Sequence, residues 1–83
     1  MKRAIFADGT YLEARTWAGV LRKLRKASWM HPDDTPTEFR RAMAQRAEVW
    51  GGVRVHPLAT SKRFVQGLER AGLLQVIDDD EEA

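Results

Sequence analysis

One histidine and two aspartates in a short stretch are the residues best suited to chemistry. His31, Asp33 and Asp34 offer imidazole and carboxylate, which several divalent metal ions accept as ligands. However, Pro32 stands between them and a predicted helix begins just after them, where negative charge is favourable near the positive helix end. This pattern favours an ordinary loop, and we predict neither a metal site nor a cofactor.

Two further segments contain residue types that are common in active sites, and both have a structural explanation. His56 stands alone on a short alternating segment, with no acid or nucleophile placed beside it by the sequence. Thr60, Ser61 and Lys62 put hydroxyls next to an amine, but no nucleophile elbow or glycine-rich phosphate loop surrounds them. Helix capping accounts for both hydroxyls. We therefore predict no catalytic residue and a protein that is not an enzyme.

Positive charge on two predicted helices is a stronger pattern. The Lys and Arg side chains of these helices point away from the apolar stripes. Together they resemble the electrostatic footprint of a phosphate-binding protein. A solvated helical face is the alternative, and the sequence has no identifiable recognition helix or aromatic RNA-binding motif. The candidate residues for binding a partner or nucleic acid are Arg22, Lys23, Arg25, Lys26, Arg40, Arg41 and Arg46, with Lys62 and Arg63 as further members.

The acidic residues are concentrated at the other end of the chain. Residues 1–77 contain fourteen Lys and Arg against seven Asp and Glu, a net +7, and residues 78–82 add five acids to give +2 overall. A block of like charges repels itself, so we expect residues 78–83 to be a disordered acidic tail. Such a tail competes with external anions for the basic surface.

Three tryptophans are many for a chain of 83 residues. Trp17 and Trp50 fall on apolar helical stripes, which predicts that both are in the core. Trp29 and Met30 follow the first helix out of register, and an exposed pair of this kind is a good interface anchor. Packing under a loop is the alternative for these two residues.

The elements that must position these residues begin with a hairpin and a helix. Asp8 and Gly9 between two β-prone runs predict strands at about residues 2–7 and 10–14. A helix from Thr16 to Ser28 follows, because apolar residues recur there at helical spacing.

The second half begins with a capping box. Thr35, Pro36 and Glu38 predict the start of a second helix, which Gly51 and Gly52 end. A strand at 53–56 is predicted next from alternation. A third helix, capped by Thr60 or Ser61 and ended by Gly72, then leads into a last strand at 73–77. Because that strand is nearly apolar, we expect it to be central or covered on both faces.

This order predicts an α+β fold: a two-layer sandwich, ββααβαβ, with three helices packed on a small mixed sheet. The strand, helix and strand at its end imply a right-handed parallel crossover. We expect one compact domain over residues 1–77. A domain this small buries only roughly 60% of its unfolded surface, so oligomerisation is a common source of extra stability.

Composition excludes several classes of protein. The chain has no cysteine, so it forms no disulfide and no thiolate zinc site. No apolar run approaches the roughly 20 residues of a membrane span, and the N-terminus lacks the apolar stretch of a secretory signal. We expect a cytoplasmic protein with no membrane partner and no small-molecule substrate.

Several segments also carry a resemblance. The F-x-D-G hairpin at residues 6–9, the Trp-Ala-Gly-Val-Leu helix at 17–21, Trp29 after it and the run at 38–47 resemble small uncharacterised α/β proteins of actinobacteria and their phages. The resemblance covers nearly the whole chain and implies a compact α/β domain without a known active site. Residues 67–77 are also similar to the helix-to-wing passage of winged-helix DNA-binding proteins, although the opening hairpin and the predicted strand at 53–56 depart from that fold.

We therefore expect a small non-enzymatic interaction or accessory protein that acts by protein–protein binding as a homodimer. The resemblance implies a phage or a mobile element as its source. The alternative is a nucleic-acid-binding regulator that uses the basic faces of the first two helices.

Overall fold

The computed structural model describes residues 1–27 and 35–79, and these residues form three strands and three helices. The α+β class is confirmed, with the observed order ββαααβ. The elements are β1 (Lys2–Phe6), β2 (Tyr11–Ala14), α1 (Trp17–Ala27), α2 (Pro36–Gly51), α3 (Ser61–Arg70) and β3 (Leu74–Asp79).

The predicted hairpin is present, and its loop places one residue at positive φ. The Phe6 N–H donates to the Thr10 carbonyl at 2.9 Å, and the Gly9 N–H donates to the Phe6 carbonyl at 2.8 Å. Gly9 has φ 93°, a conformation that glycine adopts without steric cost. Asp8 accepts the Thr10 N–H at 2.9 Å through Oδ1. The turn is therefore held by both its backbone and the aspartate side chain.

Local signals also set the helix ends. Thr35 accepts the Glu38 N–H at 3.2 Å, and Glu38 accepts the Thr35 N–H at 3.0 Å, which is the predicted capping box. Gly52 ends α2 in the left-handed region at φ 67°. Thr60 caps α3 by accepting the Arg63 N–H at 3.3 Å. These three predictions are confirmed.

The sheet is antiparallel throughout, in the order β2-β1-β3. The last strand is therefore an edge strand, and the prediction of a central or doubly covered strand is wrong. Leu74 is buried, whereas Gln75 and Ile77 on the opposite face are exposed. Glu69 on α3 accepts the Val76 N–H at 3.3 Å, which ties that helix to the strand. β3 also continues to Asp79, two residues beyond the predicted end.

The predicted strand at 53–56 is absent from the structure, so the parallel crossover is absent from the described residues as well. Val55 is instead buried against α3, where a Cβ added at Gly67 would lie 2.6 Å from its Cγ2. Arg54 and His56 point to solvent. The alternation of this segment therefore reflects burial on one side against a helix, without a strand partner.

The helices are layered differently from the expectation. α1 and α3 pack on the sheet, while α2 packs on α1 and α3 and makes no contact with the strands among the described residues. The core between these layers forms one cluster. Its buried members are Ala4, Leu12, Trp17, Val20, Leu21, Leu24, Phe39, Met43, Ala44, Ala47, Val55, Phe64, Val65, Leu68, Leu73 and Leu74.

The two described tryptophans differ in burial. Trp17 is in the core as predicted, only 6% exposed, with the Lys2 ammonium 5.9 Å from its ring centre. Trp50 is 78% exposed, so its assignment to the core is wrong. It follows Ala47 by three residues and shares that helix face, but no described element covers the last turn of α2 on this face. Helical spacing alone does not show where the core ends along a helix.

Candidate binding surfaces

The predicted basic residues differ in exposure and in their surroundings. Arg22, Lys23 and Lys26 are exposed on α1, and Arg25 is half-buried beside them. The three arginines of α2 have separate surroundings: Arg40 is half-buried, Arg41 is exposed, and Arg46 is half-buried. Arg40 nevertheless adjoins α1, because it lines a cavity of about 200 Å³ together with Arg22 and Arg25.

Arg40 is a structural residue. Its Nη1 donates to the Ala59 carbonyl at 2.8 Å and to the Pro57 carbonyl at 3.4 Å, and its Nη2 donates to Ser61 Oγ at 2.8 Å. Its guanidinium also lies 5.0 Å from the centre of the Phe64 ring. These contacts hold the connector before α3 against α2. The guanidinium is therefore already engaged within the fold, and partner binding by Arg40 stays a prediction.

Three cations of α1, Arg22, Lys23 and Lys26, line a groove of about 550 Å³. One wall is the exposed side of α1 and the other is the end of β2 with the N-terminus. The lining residues are Met1, Glu13, Ala14, Arg15, Thr16, Gly19, Arg22, Lys23 and Lys26. Arg15 was absent from the predicted set, because it precedes the helix and its neighbourhood depends on the path of the hairpin.

Close packing positions this groove. Thr16 caps α1 by accepting the Gly19 N–H at 3.0 Å, and a Cβ at Gly19 would lie 2.9 Å from the Ala14 Cβ. Lys23 donates from Nζ to the Glu13 carbonyl at 2.5 Å. The helix start therefore lies directly against β2. The first turn of α1 has no acidic residue, so nothing within it offsets the positive end of the helix dipole.

A second surface surrounds Trp50. A shallow groove of about 310 Å³ is lined by Ala42, Gln45, Arg46, Val49 and Trp50. Val49 is 73% exposed and adjoins Trp50, so two large apolar side chains project from the last turn of α2. The α2 backbone beneath them packs closely on the residue that follows α3, since a Cβ at Gly51 would lie 2.5 Å from the Ala71 carbonyl oxygen. The exposed tryptophan thus adjoins a closely packed helix end.

The side of the sheet opposite the helices is the third surface. Ile5 and Tyr11 are register partners in neighbouring strands, and both are exposed, as is Ile77. Arg3 and Glu13 form an ion pair of 3.2 Å, with both side chains more than a third exposed. The sequence signal for this face is the alternation of β1, in which Ala4 is buried between outward-facing Arg3 and Ile5.

The remaining candidate residues have local roles or lie outside the description. His56 accepts the Leu58 N–H at 3.0 Å through Nδ1, which shapes the connector before α3. Trp29, Met30, His31, Asp33 and Asp34 lie outside residues 1–27 and 35–79. Within those ranges, no three His, Asp or Glu side chains cluster as metal ligands, and no helix has the length and apolar character needed to cross a membrane.

Among the carboxyl groups whose surroundings the structure describes, Asp8 has a shifted pKa. The pKa of Asp8 is lowered from its ordinary value of 3.8, because the Thr10 side chain and the Thr10 N–H both hydrogen-bond to the carboxylate. This group stabilises the hairpin loop and lies outside the grooves described above.

Comparisons with known proteins give no relative. No protein-family model matches the chain, no curated protein matches it, and no solved structure matches its fold. The function must therefore be argued from the surfaces alone.

Proposed function

We propose that this protein is a small non-enzymatic binding protein that acts through protein–protein contact, with a second copy of the chain as its first partner. The observation that supports this proposal is the exposed pair Val49 and Trp50 at the end of α2. Tryptophan is enriched among the residues that contribute most to protein interfaces, especially where it meets a pocket in the partner.

Small size supports self-association. A single core in a domain below about 80 residues rarely supplies more than a few kcal/mol of stability, and oligomerisation is one of the common remedies. This chain of 83 residues is close to that size, and its described residues form a single core cluster. Burying Trp50 and Val49 in a dimer interface would remove apolar surface from water. The dimer would gain this stability although the core of each chain stays small.

The rest of the proposal concerns context. We place the protein in the cytoplasm and propose that it is an accessory factor of a phage or mobile element, following the sequence resemblance. Trp29 and Met30 remain candidates for a further anchor.

Sedimentation or light scattering over a range of concentrations tests the dimer. We expect the wild-type chain to dimerise and Trp50→Ala to remain monomeric with unchanged folding. Leu58→Ala is the matched control, because Leu58 is 73% exposed but lies in the connector before α3. A wild-type monomer at every concentration would rule out the dimer. Trp29→Ala tests the other anchor in the same assay.

A further inference from the structure

The groove along α1 has a large excess of positive charge. Among the described residues that line it, four are basic and one is acidic, and the acidic residue, Glu13, binds Arg3 through its carboxylate. Lys23 Nζ donates a hydrogen bond to the main-chain carbonyl of Glu13 and not to its carboxylate. Repulsion among these clustered cations therefore persists in the folded protein, and a bound anion would relieve it.

The groove cations are also available for binding. The side chains of Arg15, Arg22 and Lys26 have no hydrogen-bond or ion-pair partner anywhere in residues 1–27 and 35–79. All three side chains are exposed. This situation contrasts with Arg40, whose donors are occupied by the connector before α3. The donors of these three groove residues are thus open to an external anion.

The spacing suits an extended anion. Arg22 and Lys26 are one helical turn apart, about 6 Å along the axis of α1. Arg22 also lines the adjoining cavity of about 200 Å³ with Arg25 and the start of α2. Positive charge therefore continues beyond the first groove, along a path longer than a single phosphate or carboxylate.

The lining favours nucleic acid over an acidic protein. Protein interfaces usually depend on desolvated aromatic or apolar anchors, and no aromatic side chain of residues 1–27 and 35–79 lines this groove. Nucleic-acid interfaces are more polar and much more positively charged. Without an aromatic residue to stack on bases, a duplex with regularly spaced phosphates fits better than a single strand.

We propose that the groove of Arg15, Arg22, Lys23 and Lys26 binds the phosphodiester backbone of a nucleic-acid duplex without reading its bases. This activity is separate from the contact at Trp50, and either can exist without the other. It differs from the surface expected from sequence in adding Arg15 and excluding Arg40.

Fluorescence anisotropy with the full chain and a labelled DNA duplex tests the site. Four phosphate contacts predict a slope of about −3.6 for the logarithm of the affinity against the logarithm of salt concentration. The affinity should then fall on the order of a hundredfold between 50 and 200 mM salt. Scrambling the duplex sequence should leave it unchanged.

The decisive variant is Arg22→Ala with Lys26→Ala. We expect its affinity for the duplex at 50 mM salt to fall at least tenfold. The slope of the logarithm of affinity against the logarithm of salt concentration should become shallower by about two. The matched control, Arg54→Ala with Arg63→Ala, removes the same charge from exposed residues outside the groove. We expect it to lose less than threefold with its slope nearly unchanged, and circular dichroism should show both variants folded.

Three results would overturn the proposal. The first is no binding of the duplex at 50 mM salt. The second is an equal loss in the two double variants, which would mean that only net charge matters. The third is tighter binding of poly-glutamate or of a single strand in the same groove, which would assign the site to an acidic protein or to unpaired nucleic acid.

Discussion

Arg40 on α2 and Ala59 in the connector before α3 are joined by a hydrogen bond of 2.8 Å from Nη1 to the carbonyl oxygen. This bond links two segments that are nineteen residues apart in sequence. The same guanidinium reaches Ser61, the first residue of α3, and lies over Phe64. One side chain thus fixes the start of α3 relative to α2.

Replacing Arg40 should therefore lower stability. Hydrogen bonds that involve a charged group contribute roughly 1.5–3 kcal/mol, and we expect Arg40→Ala to cost about 2 kcal/mol in urea denaturation. The neighbouring Arg41→Ala serves as the control, with an expected change within about 0.5 kcal/mol because Arg41 is exposed and unpaired among the described residues. Equal stabilities for the two variants would contradict a structural role for Arg40.

The contact between Gly67 and Val55 gives a second prediction. Alanine favours a helix over glycine by about 1 kcal/mol, but its Cβ would lie 2.6 Å from the stiff Val55 side chain. Overpacking of this kind costs about 1–3 kcal/mol, so we expect Gly67→Ala to destabilise by about 1 kcal/mol net. In a double-mutant cycle, Val55→Ala should cost less in the Gly67→Ala background than in wild type. Additive effects would show that the two residues are not in contact.

Stability at low pH should depend on Asp8. The folded pKa of this carboxyl lies below 3.8, so its contribution is fully present above the unfolded pKa and is lost as pH falls through the folded value. NMR titration should give a midpoint below 3.8 for Asp8. Asp8→Asn retains an acceptor for the Thr10 N–H but cannot ionise, so it should remove this pH dependence. A midpoint at or above 3.8 would contradict the hydrogen bonds described for the loop.

Deleting residues 80–83 tests the electrostatic role of the acidic end. The deletion removes Asp80, Glu81 and Glu82 but leaves β3 complete to Asp79. We expect unchanged thermal stability and tighter binding of duplex DNA at 50 mM salt, with a smaller gain at 200 mM because salt screens the interaction. Affinity that is unchanged at low salt would show that the tail does not compete for the basic groove.

Local signals allowed much of this fold to be predicted. Thr35, Pro36 and Glu38 specify a helix start within four residues, and the Asp8–Gly9 pair specifies a hairpin without distant contacts. The structure bears out both, because the groups that satisfy the backbone are close in sequence. Signals of this kind do not depend on how the rest of the chain packs.

The incorrect predictions all depended on distant neighbours. Alternation at 53–56 could not reveal that Val55 meets Gly67 instead of a strand. The three-residue spacing from Ala47 to Trp50 indicated the correct face of α2. It could not show that the core ends before the last turn of that helix. The groove with Arg15 was missed for a similar reason, since it exists only where the end of β2 meets α1. Each of these features becomes visible only after the elements are assembled.

The hydrogen bond between Glu69 and Val76 has a consequence for how copies of this protein can meet. β3 is an edge strand, and edge strands readily pair with strands of other molecules. Because the Glu69 carboxylate occupies the Val76 N–H, a fourth strand cannot use that donor to extend the sheet. We therefore expect copies of this protein in a crowded solution to add strands along this edge less readily than along an edge whose donors are all open.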